Sequence, residues 1–172
     1  AVFCEDNRIE RVNTGLDVGA GIRVIQGEST AYAYTNDLSA SGLKDAAAIA
    51  SHAVEGVKKD LILDLRAVAP VPEFEIAERP DSVAIDRKAA LVESANQTAR
   101  ALDPRIKQVA VSYGDVVQNV VIANSDGEYV EDERIRTRFV VNAVAAEGST
   151  IQTGFEAVGG TVGFELFREK CS

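Results

Sequence analysis

Three arginines alternate along one predicted strand and are the residues here best suited to bind a ligand. Arg134, Arg136 and Arg138 are separated by single residues, and side chains two residues apart on a strand point to the same face. Their guanidinium groups could line a groove that binds carboxylates or a peptide backbone. A solvated face, on which the arginines pair across strands with acidic neighbours, explains the same pattern. For an acidic chain this second interpretation is the simpler one.

His52 is the single histidine and the first residue to consider for catalysis or metal binding. It lies about 180° around the first predicted helix from its apolar stripe, at ~100° per residue. That position predicts a solvent-exposed side chain. A zinc site would have to recruit Cys4 or Cys171 together with carboxylates, and no ligand spacing in the sequence supports one.

The segment Asn124–Glu133 has the acidic, glycine-containing composition of a calcium loop. When Gly127 is aligned with the loop glycine, Ile122 falls on the first ligand position and cannot coordinate a cation. Its neighbours predict a strand on each side, with Ser125-Asp126-Gly127 as the turn. We therefore interpret the segment as a β-hairpin.

Two glycine-rich stretches fail as phosphate loops. Gly19-Ala-Gly21 leads into a predicted strand, whereas a phosphate loop needs a helix N-terminus behind its glycines. Gly159-Gly-Thr-Val-Gly163 lacks the Gly-Lys-Ser/Thr of a nucleotide-binding loop. No cofactor is predicted for this chain.

The charge and composition exclude several classes of protein. The net charge is −9, and proteins that bind nucleic acid gain affinity from Lys and Arg against phosphates, so direct binding of nucleic acid is disfavoured. No apolar run is long enough to span a bilayer. Charged residues begin at Glu5, so the N-terminus does not resemble a signal peptide. With only two cysteines, predicted to be reduced, we expect a cytoplasmic protein without membrane contact.

The order of predicted elements is strands, helix, helix and strands. Strands joined by tight turns, one of them at Gly27, fill the first third. Helical periodicity covers about 39–58, with Ser39 as the predicted cap, and about 81–102, with Asp81 or Ser82 as the predicted cap. A short apolar run at 61–65 lies between the two helices, and strands return from Arg105, with a turn predicted at Gly114-Asp115. This order predicts an α+β fold, with two main helices packed on a largely antiparallel sheet.

The chain is predicted to be a single domain over residues 1–172. It contains no Met, and Ala1-Val-Phe-Cys-Glu5 already has the composition of a strand. We therefore expect a fragment of a longer polypeptide.

Several motifs resemble the TldD/PmbA family, whose members are also called modulators of DNA gyrase. The resemblance spans nearly the whole chain and is nearer to the TldD branch. Its early part has a Gly-x-Gly-x-Arg strand, a glycine turn, an aromatic-Ala-Tyr strand and an Asp-Leu-Ser helix start. Its later part has an Asp-Gly hairpin and a Gly-Gly-x-x-Gly-Phe-Glu ending. The corresponding residues are Gly19, Gly21, Arg23, Gly27, Tyr32–Tyr34, Asp37–Ser39, Asp126, Gly127 and Gly159–Glu165.

The resemblance implies a part in a cytosolic zinc metallopeptidase that acts on peptides or unfolded proteins. In such proteins a His-Glu-x-x-x-His helix and a further Cys bind zinc in the C-terminal domain, and His52 does not belong to that motif. The resemblance therefore implies a non-catalytic N-terminal domain without zinc of its own. Its expected partners are the C-terminal metallopeptidase domain, a second family member or a second copy, and the peptide substrate.

Such a domain can wall the catalytic cavity or present a sheet edge to an extended peptide. The candidates for peptide contact are Arg134, Arg136, Arg138, Gly159 and Gly160. The alternative function is a protein–protein interaction module linked to DNA gyrase regulation, with no role in proteolysis.

Overall fold

The structure is a computed structural model that describes residues 1–54, 65–68 and 74–170 of the 172-residue chain. Its strands are β1 (Val2–Glu5), β2 (Arg8–Val12), β3 (Ala20–Gln26), β4 (Ser29–Thr35), β5 (Arg66–Val68), β6 (Ile106–Ala123), β7 (Glu128–Glu147) and β8 (Thr150–Gly160). Its helices are α1 (Ala40–His52), a 3₁₀ turn (Pro80–Ser82), α2 (Ile85–Ala101) and α3 (Leu166–Lys170). The predicted α+β class, with a largely antiparallel sheet and two main helices, is confirmed.

The chain divides into two compact units. The larger contains Ala1–Thr14 and Leu63–Ser172, and the smaller contains Gly15–Ile62. Helix α2 packs against β6 and β1 in the larger unit, and α1 packs against β3 and β4 in the smaller one. Each main helix therefore packs on its own sheet, a detail that helical periodicity does not specify, because it identifies only the apolar face of a helix. The single domain stays a prediction.

The larger unit is built on a six-stranded sheet in the order β2-β1-β6-β7-β5, with β8 also paired to β7. All neighbours are antiparallel except β5, which runs parallel to β7. Strands β5 and β8 pair with different stretches of β7, at Glu128–Val130 and at Thr137–Glu147. The ladder between β6 and β7 is the longest in this unit and forms the centre of its sheet.

One face of this sheet carries the core. Alternate residues point to the same side of a strand, and here they are buried beneath α2 and the C-terminal segment. The buried cluster consists of Val2, Cys4, Val92, Val109, Val111, Tyr113, Phe139, Phe164 and Phe167. Burial of each Val side chain in such a cluster contributes about 1.5–3 kcal/mol. The opposite face of the sheet carries the three alternating arginines.

Strand β6 continues through Gly114 and Asp115, where the sequence suggested a turn. The ladder pairs Gly114 with Arg138 and Asp115 with Thr137 without interruption. The Asp115 carboxylate accepts a hydrogen bond from Lys88 of α2. A turn-type residue is therefore held within a strand by a partner from another element, which local sequence patterns do not reveal.

Helix α2 begins at Ile85, four residues later than the sequence predicted. Pro80–Ser82 form a separate 3₁₀ turn, and Val83 and Ala84 have extended backbone angles. The Ser82 hydroxyl donates to the Arg79 carbonyl at 2.7 Å and therefore does not cap α2. The early start came from assigning the cap to Asp81 or Ser82, the kinds of residue that favour helix N-termini.

The smaller unit is a β3–β4 hairpin covered on one face by α1. Gly27 in its turn has φ of 59°, the left-handed conformation for which glycine is suited. The predicted cap of α1 is confirmed, since the Ser39 hydroxyl accepts a hydrogen bond from the Gly42 N–H at 3.1 Å. Ala33, Ala46 and Ala50 form its small core.

The other face of the hairpin exposes two tyrosines that lie over glycines. A Cβ at Gly21 would lie 2.1 Å from the Tyr32 hydroxyl oxygen, and one at Gly19 would lie 2.0 Å from that of Tyr34. The glycines therefore leave room for the rings to lie flat across the hairpin. This contact gives a physical reason for the Gly-x-Gly spacing noted in the sequence.

Two predictions concern residues outside the described part of the chain. The short apolar run at 61–65 lies there except for Leu65, and so does the predicted end of the first helix beyond Val54. Within the described residues, no helix has both the length and the apolar character needed to cross a membrane.

Candidate functional site

The three arginines lie on the sheet face opposite the core, in the middle of β7. Arg134 donates from Nε to the Asp132 carboxylate at 2.9 Å, so its charge is compensated by a neighbour on its own strand. Arg136 and Arg138 are exposed and make no side-chain hydrogen bond or ion pair with any described residue. Among the described residues, one of the three arginines therefore has an acidic partner, and that partner lies on the same strand, not across from it as the simpler interpretation predicted.

The structure brings two of the predicted candidates together. Arg138 and Gly159 are direct register partners across β7 and β8, and Thr137 is opposite Gly160. A Cβ at Gly159 would lie 2.6 Å from the Thr137 carbonyl oxygen and 3.1 Å from the Arg138 Cα. Gly159 thus allows β8 to approach β7 closely beside Arg138. Arg136 lies beyond the paired stretch of β8.

Strand β8 is an exposed edge strand. Within the described residues it pairs only with β7, and all of its residues except Val158 are exposed. Ile151 and Phe155 expose 65% and 63% of their surface, which is unusual for large apolar residues in a sheet. Proteins normally protect such edges with Lys, Pro or bulges, and β8 contains neither residue and has a regular register. Its backbone is therefore open to pairing with another strand.

The described residues do not fit a zinc site. They contain no group of three or more His, Cys, Asp or Glu side chains that could hold a metal ion. His52 is exposed at the end of α1, as predicted. Cys4 is buried in the core, where burial, followed by the negative charge of Glu93, raises the pKa of its thiol. A protonated thiol in an apolar core is a poor metal ligand. Cys171 lies outside the described residues.

Sequence reasoning did not identify a buried ion pair between α2 and β6. Lys88 is 8% exposed, and its ammonium group donates to the Asp115 carboxylate at 2.5 Å. The ammonium nitrogen also lies 5.4 Å from the centre of the Tyr113 ring. Burial, followed by the neighbouring Asp115 carboxylate, raises the pKa of Tyr113. The signal in the sequence that could have identified this pair is the position of Lys88 between apolar residues of the helical pattern. The pair joins helix to sheet.

A cleft of about 320 Å³ lies near the start of β8. Its polar side chains pair with one another: Arg105 contacts Asp103 at 2.8 Å and Glu147 at 3.2 Å. The hydrogen bonds from Arg105 lower the pKa of Asp103 to about 2. The cleft offers no histidine, thiol or hydroxyl nucleophile other than Thr150, so we do not treat it as a catalytic site.

Two family models match this chain. The model described as PmbA/TldA metallopeptidase domain 1 matches residues 1–54, and that of the PmbA/TldA metallopeptidase central domain matches residues 78–171. The chain belongs to the PmbA/TldD metallopeptidase family. The boundaries of the models and of the compact units differ, because β1 and β2 match domain 1 but pair in the sheet of the larger unit.

The curated relatives are metalloproteases. The chain is 28% identical to a metalloprotease TldD homolog of Haemophilus influenzae, over 96% of this chain and 35% of the relative. It is 29% identical to a metalloprotease of Methanothermobacter thermautotrophicus, over 99% of this chain and 37% of the relative. The chain thus spans roughly a third of the length of these relatives, and the TldD name agrees with the branch suggested by the motifs.

Two solved structures share the fold. A Thermotoga maritima protein described as a candidate modulator of a DNA gyrase superposes with a TM-score of 0.69 at 18% identity, over 94% of this chain and 36% of that one. A Bacteroides thetaiotaomicron protein with a similar description has a TM-score of 0.67 at 16% identity, over 94% and 38% of the two chains. At these identities the likeness concerns the fold alone.

Proposed function

We propose that this chain is the non-catalytic N-terminal part of a cytoplasmic zinc metallopeptidase that degrades peptides or unfolded proteins. In this proposal it walls the catalytic cavity and guides an extended peptide along β8. Its partners are a C-terminal metallopeptidase domain, which binds the zinc, a second family member or a second copy, and the peptide substrate. Nucleic acid and membranes are not among them.

The exposed edge of β8 is the main observation that supports a role in guiding an extended peptide. A peptide that adds to a sheet edge forms backbone hydrogen bonds, which give affinity without a strict sequence preference. Such binding suits a peptidase that accepts unfolded chains. Strand β8 is eleven residues long, and its alternate residues direct their backbone N–H and C=O groups away from β7. The exposed side chains of Ile151 and Phe155 offer apolar contacts to an added strand.

The assignment as non-catalytic is supported by the composition of the chain. The sequence contains one histidine and therefore no His-Glu-x-x-x-His motif. The described residues hold no cluster suited to a metal ion. Chemistry of the metallopeptidase kind needs a metal that polarises a carbonyl and activates water, so in this proposal it depends on residues outside this chain.

Amide chemical shifts test the guiding role directly. An extended, uncharged peptide of the length of β8 is titrated into the nitrogen-15-labelled chain. We expect shift changes along Thr150–Gly160 and smaller ones along β2 and β5, which are also outer strands of the sheet. Unchanged β8 amides at saturating peptide would refute strand addition.

A charged residue on the edge supplies a matched variant. Natural edge strands often carry Lys, which discourages the addition of another strand. Ile151→Lys places such a charge on β8 and is expected to weaken peptide binding several-fold, because the added strand would have to desolvate the ammonium group. Asn142→Lys is the control, because Asn142 is exposed but lies in β7, where it is paired with β6 on one side and with β8 on the other. Equal affinities for both variants would argue against β8 as the binding edge.

The interaction module linked to DNA gyrase is the second candidate function, and the observation in its favour is the description of the two solved structures as candidate gyrase modulators. It predicts binding to folded gyrase and no binding of extended peptides. A pull-down with purified gyrase subunits, next to the peptide titration, distinguishes the two functions.

A further inference from the structure

Arg138 is the one arginine of β7 that has a glycine opposite it on each of the two neighbouring strands. Gly114 of β6 and Gly159 of β8 lie directly opposite it on the two neighbouring strands. A Cβ at Gly114 would meet nothing within 4 Å, so the space beside Arg138 on that side is open. At Gly159 the close backbone approach leaves no room for a Cβ. No side chain therefore separates Arg138 from the outer edge of β8.

The charge of Arg138 is not compensated within the described part of the chain. Neither Arg138 nor Arg136, two residues away on the same face, has an ion-pair partner there. Other arginines of the larger unit, such as Arg79, Arg100 and Arg105, do pair with carboxylates. Since the chain has 27 acidic and 18 basic residues, an uncompensated pair of neighbouring positive charges favours an anionic partner from outside.

A strand added to β8 would lie two strand spacings from β7, about 10 Å away. The residue of that strand opposite Gly159 would be in line with Arg138, with only a glycine between them. A long guanidinium side chain from one side and a carboxylate side chain from the other can meet above Gly159. Arginine is suited to this role because its planar donors match a carboxylate.

We propose that Arg138, assisted by Arg136, selects peptides that carry an acidic side chain at the position opposite Gly159. This inference rests on the proposed strand addition to β8 and adds a charge preference at one position of it. The occupant is the side-chain carboxylate of a Glu or Asp in an extended peptide.

Paired peptides test this preference. Acetylated and amidated peptides with a single Glu, moved stepwise along an otherwise neutral sequence, are compared with the same peptides carrying Gln, using fluorescence anisotropy and the intact 172-residue chain. We expect about fivefold tighter binding for Glu at one position, the size of a favourable exposed ion pair. The preference should shrink at about 0.5 M salt, where such charges are screened.

Variants separate this inference from the guiding role. Arg138→Gln should abolish the Glu preference, and Arg138→Lys should retain part of it. Arg66→Gln is the control, since Arg66 is exposed on β5 at the far end of β7, and it should keep the full preference. Unfolding midpoints of all variants establish that they are folded.

The outcomes discriminate between the two proposals. If Glu and Gln peptides bind β8 equally at every position, the charge preference is refuted and strand addition stands. If Arg66→Gln abolishes the preference as fully as Arg138→Gln does, the attraction is a general field effect and the role of Arg138 is refuted. If no peptide binds, both proposals fail. A free C-terminal carboxylate that substitutes for Glu in unblocked peptides would also contradict selection of a side chain.

Discussion

Asn96 of α2 donates a hydrogen bond from its side-chain amide to the Val109 carbonyl of β6 at 3.0 Å, and its side chain is fully buried. Its amide oxygen accepts from the Asn7 N–H and from Arg100, both at 3.2 Å. One side chain therefore connects the helix, the central strand and the β1–β2 turn. This connection holds α2 and the β1–β2 turn against the sheet that contains β8.

Replacement of Asn96 by Ala should destabilise the chain by about 2 kcal/mol, because the Asn7 N–H loses its acceptor and the site is buried. Urea unfolding followed by circular dichroism measures the change. Gln97→Ala, at an exposed position of the same helix, is the control and should be neutral or slightly stabilising. A wild-type midpoint for Asn96→Ala would contradict the connecting role.

Disruption of the Lys88–Asp115 pair should destabilise the chain more than replacement of Asn96 does. Asp115→Ala leaves a lysine side chain that is 10% exposed without its counter-charge, and we expect a loss of about 3 kcal/mol. Asp132→Ala removes the partner of Arg134 on the exposed face and should cost less than about 1 kcal/mol. The double variant Lys88→Met with Asp115→Ala should recover much of the loss. No recovery would mean that the pair acts through packing.

Gly159 and Gly154 form a matched pair within β8. Gly159→Ala should destabilise by about 1–3 kcal/mol, because its Cβ would lie 2.6 Å from the Thr137 carbonyl oxygen. Gly154→Ala, where a Cβ meets nothing within 4 Å, should be neutral or stabilising. Thermal unfolding of the two variants gives the comparison. Equal destabilisation would show that the close approach of β8 to β7 does not limit the side chain at Gly159.

The raised pKa of Tyr113 predicts that the folded chain loses stability at alkaline pH. Burial raises the pKa of its phenol in the folded chain, whereas in the unfolded chain the phenol loses its proton near pH 10. Above about pH 10 the unfolded state therefore binds fewer protons than the folded state, and the free energy of unfolding falls as the pH rises.

Replacement of Tyr113 by Phe should remove this part of the pH dependence and change the stability at pH 7 by no more than about 1 kcal/mol. Free energies of unfolding at pH 7 and about pH 10.5 provide the measurement. Tyr34→Phe, on an exposed face, is the matched control and should keep the wild-type difference between the two values. If Tyr113→Phe keeps it as well, the phenol does not cause the alkaline loss.

Local patterns in the sequence identified most of the elements. The turn at Gly27, the hairpin turn at Gly127 with φ of 89° and the cap at Ser39 were predicted from residue types that those conformations require. Alternation located the strand that carries Arg134, Arg136 and Arg138. These predictions succeeded because each depends on residues a few positions apart.

The start of α2 and the continuous course of β6 were not predicted. Ser82 favours a helix cap, yet its hydroxyl bonds to Arg79. Gly114 and Asp115 favour a turn, yet Lys88 and the β7 ladder hold them in a strand. In each case a partner outside the pattern competed with the local preference, and its position depends on the folded chain.

Periodicity and motifs along the chain are enough to predict the α+β class, the alternating arginines and the family resemblance. The folded structure was needed to show that Gly159 lies opposite Arg138 and that β8 is an exposed edge. It also shows that Arg134 pairs with Asp132, while the other two arginines lack partners among the described residues. Strand neighbours and registers join residues far apart in sequence, and these are selected by the packing of the whole sheet. Such relationships can be read only from the folded chain.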